Sequence, residues 1–229
     1  MPPDEIVDWL LPDKPSRVVD LAAGTGAMSR QLERRVGEIV AVEPDGRMLS
    51  VLMRRSPAVR AVSGRAEALP LQDEVADAVV ISSAWHWMGP DVAVPEIARV
   101  LRDGGRFGVV WNGRDHRNPL MQELAGAAMA NPSRRDRQRW GERLRALALP
   151  QGSPFGEVES RLLPFTVSMS VDELAGSLGT YSRAQEAPGG VEGTVARARE
   201  FLTQRFGADA RLDVPMGSRA FRCQRLSRP

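Results

Sequence analysis

Trp85-His86-Trp87 sets two indoles around one of the two histidines in the chain. The triplet follows the apolar run Val79-Val80-Ile81 and precedes Gly89-Pro90, so it stands where a strand should be ending. An imidazole titrates near neutral pH and can take a proton in a reaction, which makes His86 a candidate general base. Indole faces exclude water and attract cations, a contact worth ~0.5–2 kcal/mol. Trp85, His86 and Trp87 are therefore candidates to shape a reaction site. The plainer alternatives are an indole packed beneath the following helix and a histidine that is a pocket wall or hydrogen-bond donor. His116 is a second, weaker candidate, and Tyr181, the only tyrosine, is a candidate hydrogen-bond partner for a substrate.

A second cluster lies upstream. Val18-Val19-Asp20-Leu21 runs into the small-residue stretch Ala22-Ala23-Gly24-Thr25-Gly26. Gly24 and Gly26 allow a sharp turn and a close approach of ligand to backbone, and the helix expected behind them offers free N–H groups. Glu43 closes the next strand-like segment, where a carboxylate can accept hydrogen bonds from both hydroxyls of a ribose. A carboxylate there could also cap a helix, but Asp45 is better placed for that. Together the two motifs point to a nucleoside-containing ligand. The dinucleotide fingerprint G-x-G-x-x-G is a poor match, because counting from Gly24 puts Ser29 at the third small position.

These residues need a scaffold. Strand-like segments at Arg17–Leu21, Glu38–Val42, 58–63, 75–82 and 106–111 alternate with helical patterns over 27–36, 45–55 and 91–102. Pro95 should start or kink the third helix, and Asp103-Gly104-Gly105 reads as a stop. Continuous apolar strands separated by helices predict a parallel sheet covered on both faces. The second half reads as a strand over 157–168, helices at Val171–Gly179 and 191–206, and a last strand over 211–226 interrupted by Pro215-Met216-Gly217. The expected fold class is α/β: a Rossmann-like, doubly wound seven-stranded sheet with its last strand antiparallel, plus helical insertions around 114–150 and 171–206 forming a cap. As domains, this is one unit over 1–229, with a ligand-binding core over 1–113 and cap helices with the last two strands over 114–229.

Composition narrows the function classes. The 229 residues are 42% hydrophobic, and no apolar run reaches membrane-spanning length. Met1-Pro2-Pro3-Asp4 lacks the pattern of a secretory leader, and the single Cys223 suits a reducing, cytoplasmic setting. All 31 basic residues but Lys14 are arginine, yet the net charge is only +2, which disfavours a dedicated nucleic-acid binder. Arginines crowd the stretch 134–145, read first as a solvated helix face and second as a site for oxyanions. One cysteine and two histidines make no metal cluster, and no Walker-type phosphate loop is present.

"VVDLAAGTG", "VAVEPDGRML", "GRAEALPLQDEVADAVVISSAWHW" and "EIARVLRDGGRFGVVWN" fall in the order and spacing of class I S-adenosylmethionine-dependent methyltransferases. The chain resembles the broad type 11 group, which includes trans-aconitate-methyltransferase-like proteins, strongly over residues 3–113 and more faintly beyond. The resemblance implies S-adenosyl-L-methionine as cofactor, S-adenosyl-L-homocysteine as product and a small-molecule acceptor. It implies that Asp20, Ala22, Gly24 and Gly26 border the methionine portion of the donor and that Glu43 holds the ribose. Pro44 and Met48 would lie against the adenine, Arg65, Ala66 and Glu67 along the adenine edge, and Ser83 by the sulfonium. Trp85, His86 and Trp87 would then flank the transferable methyl, with Tyr181 in a lid and Trp111 and Asn112 lining the same cavity.

The sequence departs from the family pattern at Ala22, a glycine in relatives; at Arg65, often acidic; at Asp103, usually proline; and at Pro95. Relatives also carry further residues ahead of Pro3 that fold over the donor, so weaker donor binding is expected of this chain. The rivals are an RNA or protein methyltransferase, a nicotinamide oxidoreductase and a donor-binding protein without turnover. Oligomeric state is open, a homodimer included.

Overall fold

The computed structural model describes residues 1–115, 117–129 and 147–227. His116 and the arginine stretch over 134–145 lie outside them.

Seven strands form one sheet in the order β3-β2-β1-β4-β5-β7-β6. β1 (Arg17–Leu21) pairs in parallel with β2 (Glu38–Val42) and β4 (Ala76–Ser82). β3 (Arg60–Val62) pairs in parallel with β2, and β5 (Leu101–Arg114) with β4. β6 is Glu159–Ser170 and β7 Arg211–Gln224. Near one end of β5 the Gly104 N–H donates to the Arg225 carbonyl and the Arg225 N–H to the Gly105 carbonyl, and at the other the Asp115 N–H donates to the Pro215 carbonyl. The last strand therefore runs antiparallel to β5, as expected.

The apolar runs are continuous because successive residues enter different cores. Val19, Val79, Ile81, Phe107 and Val109 bury on one face together with α4 (Pro90–Val100). Val18, Ala78, Val80 and Val110 bury on the other, against α1 (Asp4–Leu10) and α2 (Ala27–Leu32). α3 (Gly46–Arg55) adds Leu52 to the second core.

Two local expectations fail, and Pro95 does not start its helix. The Asp103-Gly104-Gly105 stop lies inside β5, where the register slips between the pairs Ala76–Leu101 and Ala78–Arg106; Gly104 takes φ +73° and the strand resumes. α4 begins with Pro90 in its first turn and continues across Pro95, because Ala93, Val94, Ile97 and Ala98 bury its face. β7 is unbroken through Pro215-Met216-Gly217, since Pro215 serves the ladder with its carbonyl and needs no N–H there.

The chain divides into two compact units. The first comprises Met1–Asn112, Leu144–Leu163 and Ser218–Pro229, the second Gly113–Arg143 and Pro164–Gly217. Within the second, α5 (Pro119–Met129), α6 (Val171–Gly179) and α7 (Gly190–Phe206) share a core of Met121, Leu124, Leu174, Leu178, Ala198 and Leu202. Ser170 and Glu173 close a capping box at the start of α6. Among the described residues no helix is long and apolar enough to cross a membrane, and no group of three or more His, Cys, Asp or Glu could hold a metal.

Candidate functional site

The loop between β1 and α2 is built from alternating left-handed residues: Ala22 at φ +57°, Gly24 at +56° and Gly26 at +79°. Gly26 caps α2, and a methyl group there would stand 2.8 Å from Leu52 Cγ. Gly24 is different. A methyl group on it would meet only Met48 Sδ, at 3.9 Å, so its face is open toward a half-exposed thioether. Ala22 occupies the left-handed region without being glycine, which costs roughly 1–2 kcal/mol.

Glu43, at the end of β2, clasps this loop. Its Oε2 accepts the Gly24 N–H at 2.9 Å and its Oε1 the Asp45 N–H at 2.9 Å. The carboxylate is buried, yet two hydrogen bonds use only half of its acceptor capacity. Asp45 caps α3 through the N–H groups of Arg47 and Met48, and the Arg47 side chain holds its carboxyl down at about 2. Pro44 and Met48 are exposed beside it.

Asp20 lies beneath the loop. Ser29 Oγ donates to its Oδ2 at 2.5 Å, while Oδ1 is buried with no partner. Burial pushes the carboxyl up to about 6, and the nearby Glu43 charge adds to the rise.

The segment carrying Arg65, Ala66 and Glu67 is pinned from outside. Ala66 is buried and Arg65 exposed. Glu67 Oε1 accepts the Gly89 N–H at 3.2 Å, tying this segment to the loop after β4. Arg99 of α4 donates to the carbonyls of Leu69 and Leu71 and pairs with Asp73 and Glu96, and Glu96 accepts the Leu69 N–H. Sequence reasoning missed this clamp. Its one signal is the Glu96-x-x-Arg99 spacing on a helix.

Ser83 follows β4 at φ +59° with its side chain exposed and its N–H bonded to Val110. Trp85-His86-Trp87 is a single 3₁₀ turn. The turn separates the two indoles. Trp85 is buried in the core and meets the Phe107 ring edge-on at 5.3 Å. Trp87 is 75% exposed, with its ring 4.9 Å from that of His86. The expected pair of aromatic walls is thus one core indole and one solvent-facing indole. Trp111 also packs inward, against Phe221.

Residues 19–109 match the methyltransferase domain family. An uncharacterized methyltransferase of Mycobacterium tuberculosis is 50% identical over 122 residues, which cover 53% of this chain and 50% of the relative. The chain thus spans about half the length of the mycobacterial relatives it matches. An uncharacterized methyltransferase-like protein of Schizosaccharomyces pombe is 32% identical over 191 residues, covering 81% of this chain and 72% of the relative. The chain belongs to the class I S-adenosylmethionine-dependent methyltransferases. A solved structure from Anaeromyxobacter dehalogenans, assigned to the type II methyltransferases, shares the methyltransferase fold with a TM-score of 0.72 at 22% identity, over 99% of this chain and 97% of that one. A demethylmenaquinone methyltransferase of Beutenbergia cavernae is 40% identical over 92 residues, 40% of this chain and 38% of the relative.

The loop suits the donor used by the family to which the chain belongs. Glu43 retains acceptor capacity for two hydroxyls, Gly24 lets a ligand reach the backbone, and exposed Met48 offers an apolar contact. The partnerless Asp20 Oδ1 is a buried acceptor within the same segment. Tyr181 belongs to the second unit, where it is half-buried and stacks under Arg114.

Proposed function

We propose that this chain transfers a methyl group from S-adenosylmethionine directly to a small-molecule acceptor. The observation that carries the reading is the Glu43 clasp on Gly24: one buried carboxylate fixes the left-handed loop and keeps acceptor capacity for a ribose. The donor supplies an electrophilic methyl on a sulfonium. In this reading Asp20, Ala22, Gly24 and Gly26 border the methionine portion, Pro44 and Met48 the adenine, and Arg65, Ala66 and Glu67 the adenine edge. Ser83 and Trp87 face the sulfonium end, and His86 lies beside them as a wall or a proton acceptor.

An attacking lone pair forms the new bond to the methyl carbon while the carbon–sulfur bond breaks and its electrons return to sulfur. Such chemistry gains most from holding the reactants in line, up to ~7–11 kcal/mol in favourable cases. The first unit is the donor-binding part. Small-molecule acceptors are supported by the demethylmenaquinone methyltransferase relative. The motif order supports membership of the trans-aconitate-methyltransferase-like group.

Calorimetric titration with S-adenosylhomocysteine tests the reading without an acceptor. Saturable binding that Glu43→Ala weakens supports it. An absence of binding by the wild-type chain overturns it.

A further inference from the structure

Met48 is the third residue of α3, and one carboxylate ties it to the loop after β1. Glu43 accepts the Gly24 N–H through Oε2 and the Asp45 N–H through Oε1. Asp45 in turn caps α3 and accepts the Met48 N–H at 3.4 Å. The thioether is thus carried on backbone that is fixed relative to Gly24. Its Sδ lies 3.9 Å from the point where a side chain on Gly24 would begin, on the open face of the loop. The same side chain is 45% exposed. One sulfur atom therefore borders both the solvent and the surface assigned above to the donor.

The other methionines do not combine these properties. Of the nine, Met28 and Met121 are buried. Met53 is as exposed as Met48, but it stands five residues further along α3 and roughly 140° around the helix axis from it.

A thioether lone pair attacks the oxygen of a peroxide. The sulfur–oxygen bond forms as the oxygen–oxygen bond breaks, and the proton of the transferred hydroxyl passes to the departing hydroxide, which leaves as water. Sulfur loses two electrons and the peroxide gains them. The product, methionine sulfoxide, replaces a flexible apolar group with a polar, chiral one. On Met48 the new oxygen either enters the open face beside Gly24 or turns the side chain away from it, and an apolar contact is lost in both cases. A sulfoxide reductase removes the oxygen as water, drawing two electrons from a dithiol that becomes a disulfide.

We propose that Met48 is a site of reversible oxidation by peroxide and that its sulfoxide closes the donor site. The proposal rests on the methyltransferase reading for the donor; the reactivity of the sulfur does not.

The test treats the folded chain with hydrogen peroxide and follows two readouts. Peptide mass spectrometry locates the added oxygen, and calorimetric titration with S-adenosylhomocysteine gives the affinity. Met48 should be oxidised together with Met53 and ahead of Met28 and Met121. Affinity should fall by about tenfold in step with Met48 oxidation. The two sulfoxide reductases, one for each epimer, should restore it with dithiothreitol. Met53→Leu should lose the same factor on treatment. Met48→Leu, compared with itself before and after peroxide, should lose nothing. Met48 left reduced while Met53 is oxidised would overturn the proposal. So would full oxidation of Met48 with unchanged affinity, an equal loss in treated Met48→Leu, or no recovery with the reductases. A collapse of melting temperature on treatment would overturn it too, by showing general damage in place of local closure. If the untreated chain does not bind S-adenosylhomocysteine, the donor reading falls and the proposal with it. Binding that survives oxidation of Met48 defeats the proposal alone.

Discussion

Glu43 Oε2 accepts the Gly24 N–H at 2.9 Å, which joins the end of β2 to the loop after β1 through one buried carboxylate. The bond fixes an N–H that no helix or strand uses. Glu43→Gln keeps the shape but turns one acceptor into an amide N–H, which would face the N–H of Gly24 or of Asp45. A hydrogen bond to a charged group contributes ~1.5–3 kcal/mol. The expected outcome is a loss of at least about tenfold in S-adenosylhomocysteine affinity with a modest fall in melting temperature, read by calorimetry and thermal denaturation. Unchanged affinity would remove Glu43 from the donor site.

Gly24 and Gly26 share left-handed backbone but differ in surroundings, so alanine should separate them. At Gly26 the new methyl adds overpacking against Leu52 to the backbone strain, a sum of roughly 2–5 kcal/mol. At Gly24 only the strain is added, roughly 1–2 kcal/mol, but the methyl fills the open face beside Met48. Gly26→Ala should unfold in less denaturant than Gly24→Ala, and Leu52→Ala should recover part of the Gly26 loss. Gly24→Ala should show the larger loss of donor affinity relative to its loss of stability. Equal denaturation midpoints would contradict the packing argument.

Asp20 gives the chain a pH signature. Its carboxyl is raised from 3.8 to about 6 by burial, so the native state binds the proton more tightly than the unfolded state does. Below pH ~4 both states are protonated and the protonated carboxyl contributes its full stability. That contribution is lost as pH rises toward 6 and is absent above it. Asp20→Asn stays neutral and lacks this loss. The unfolding free energy of the wild type relative to Asp20→Asn should fall by about 2 kcal/mol between pH 4 and pH 7. Parallel denaturation curves over that range would show that Oδ1 is solvated after all.

Much of this site is written in local sequence. Asp20, Gly24, Gly26, Glu43 and Asp45 sit at strand ends and a helix start, where backbone conformation and capping demand particular residue types. The sheet itself is legible for a similar reason, since strand centres such as Ala78-Val79-Val80-Ile81 are apolar without a break. The course of β5 through Asp103-Gly104-Gly105 is not, because a bulge and a stop call for the same residues and only the partner strand decides between them.

The two indoles around His86 were alike in sequence, and the turn that holds them makes opposite predictions for each. Residues two apart on a 3₁₀ turn point to different sides, so one ring follows the core and the other the solvent. Trp85 fills the space beside Phe107, and Trp85→Ala should cost ~3–5 kcal/mol, measured by chemical denaturation. Trp87 is 75% exposed, and Trp87→Ala should change stability by no more than about 0.5 kcal/mol. If the exposed indole meets the sulfonium, it should favour the charged donor over the neutral product. Trp87→Ala should then weaken S-adenosylmethionine by about two- to thirtyfold while S-adenosylhomocysteine changes little. His86→Gln, which removes no aromatic face from Trp87, should leave that ratio intact. Equal losses for both ligands in Trp87→Ala would mean that the indole contributes area rather than attraction for charge, and its place beside the sulfonium would be lost.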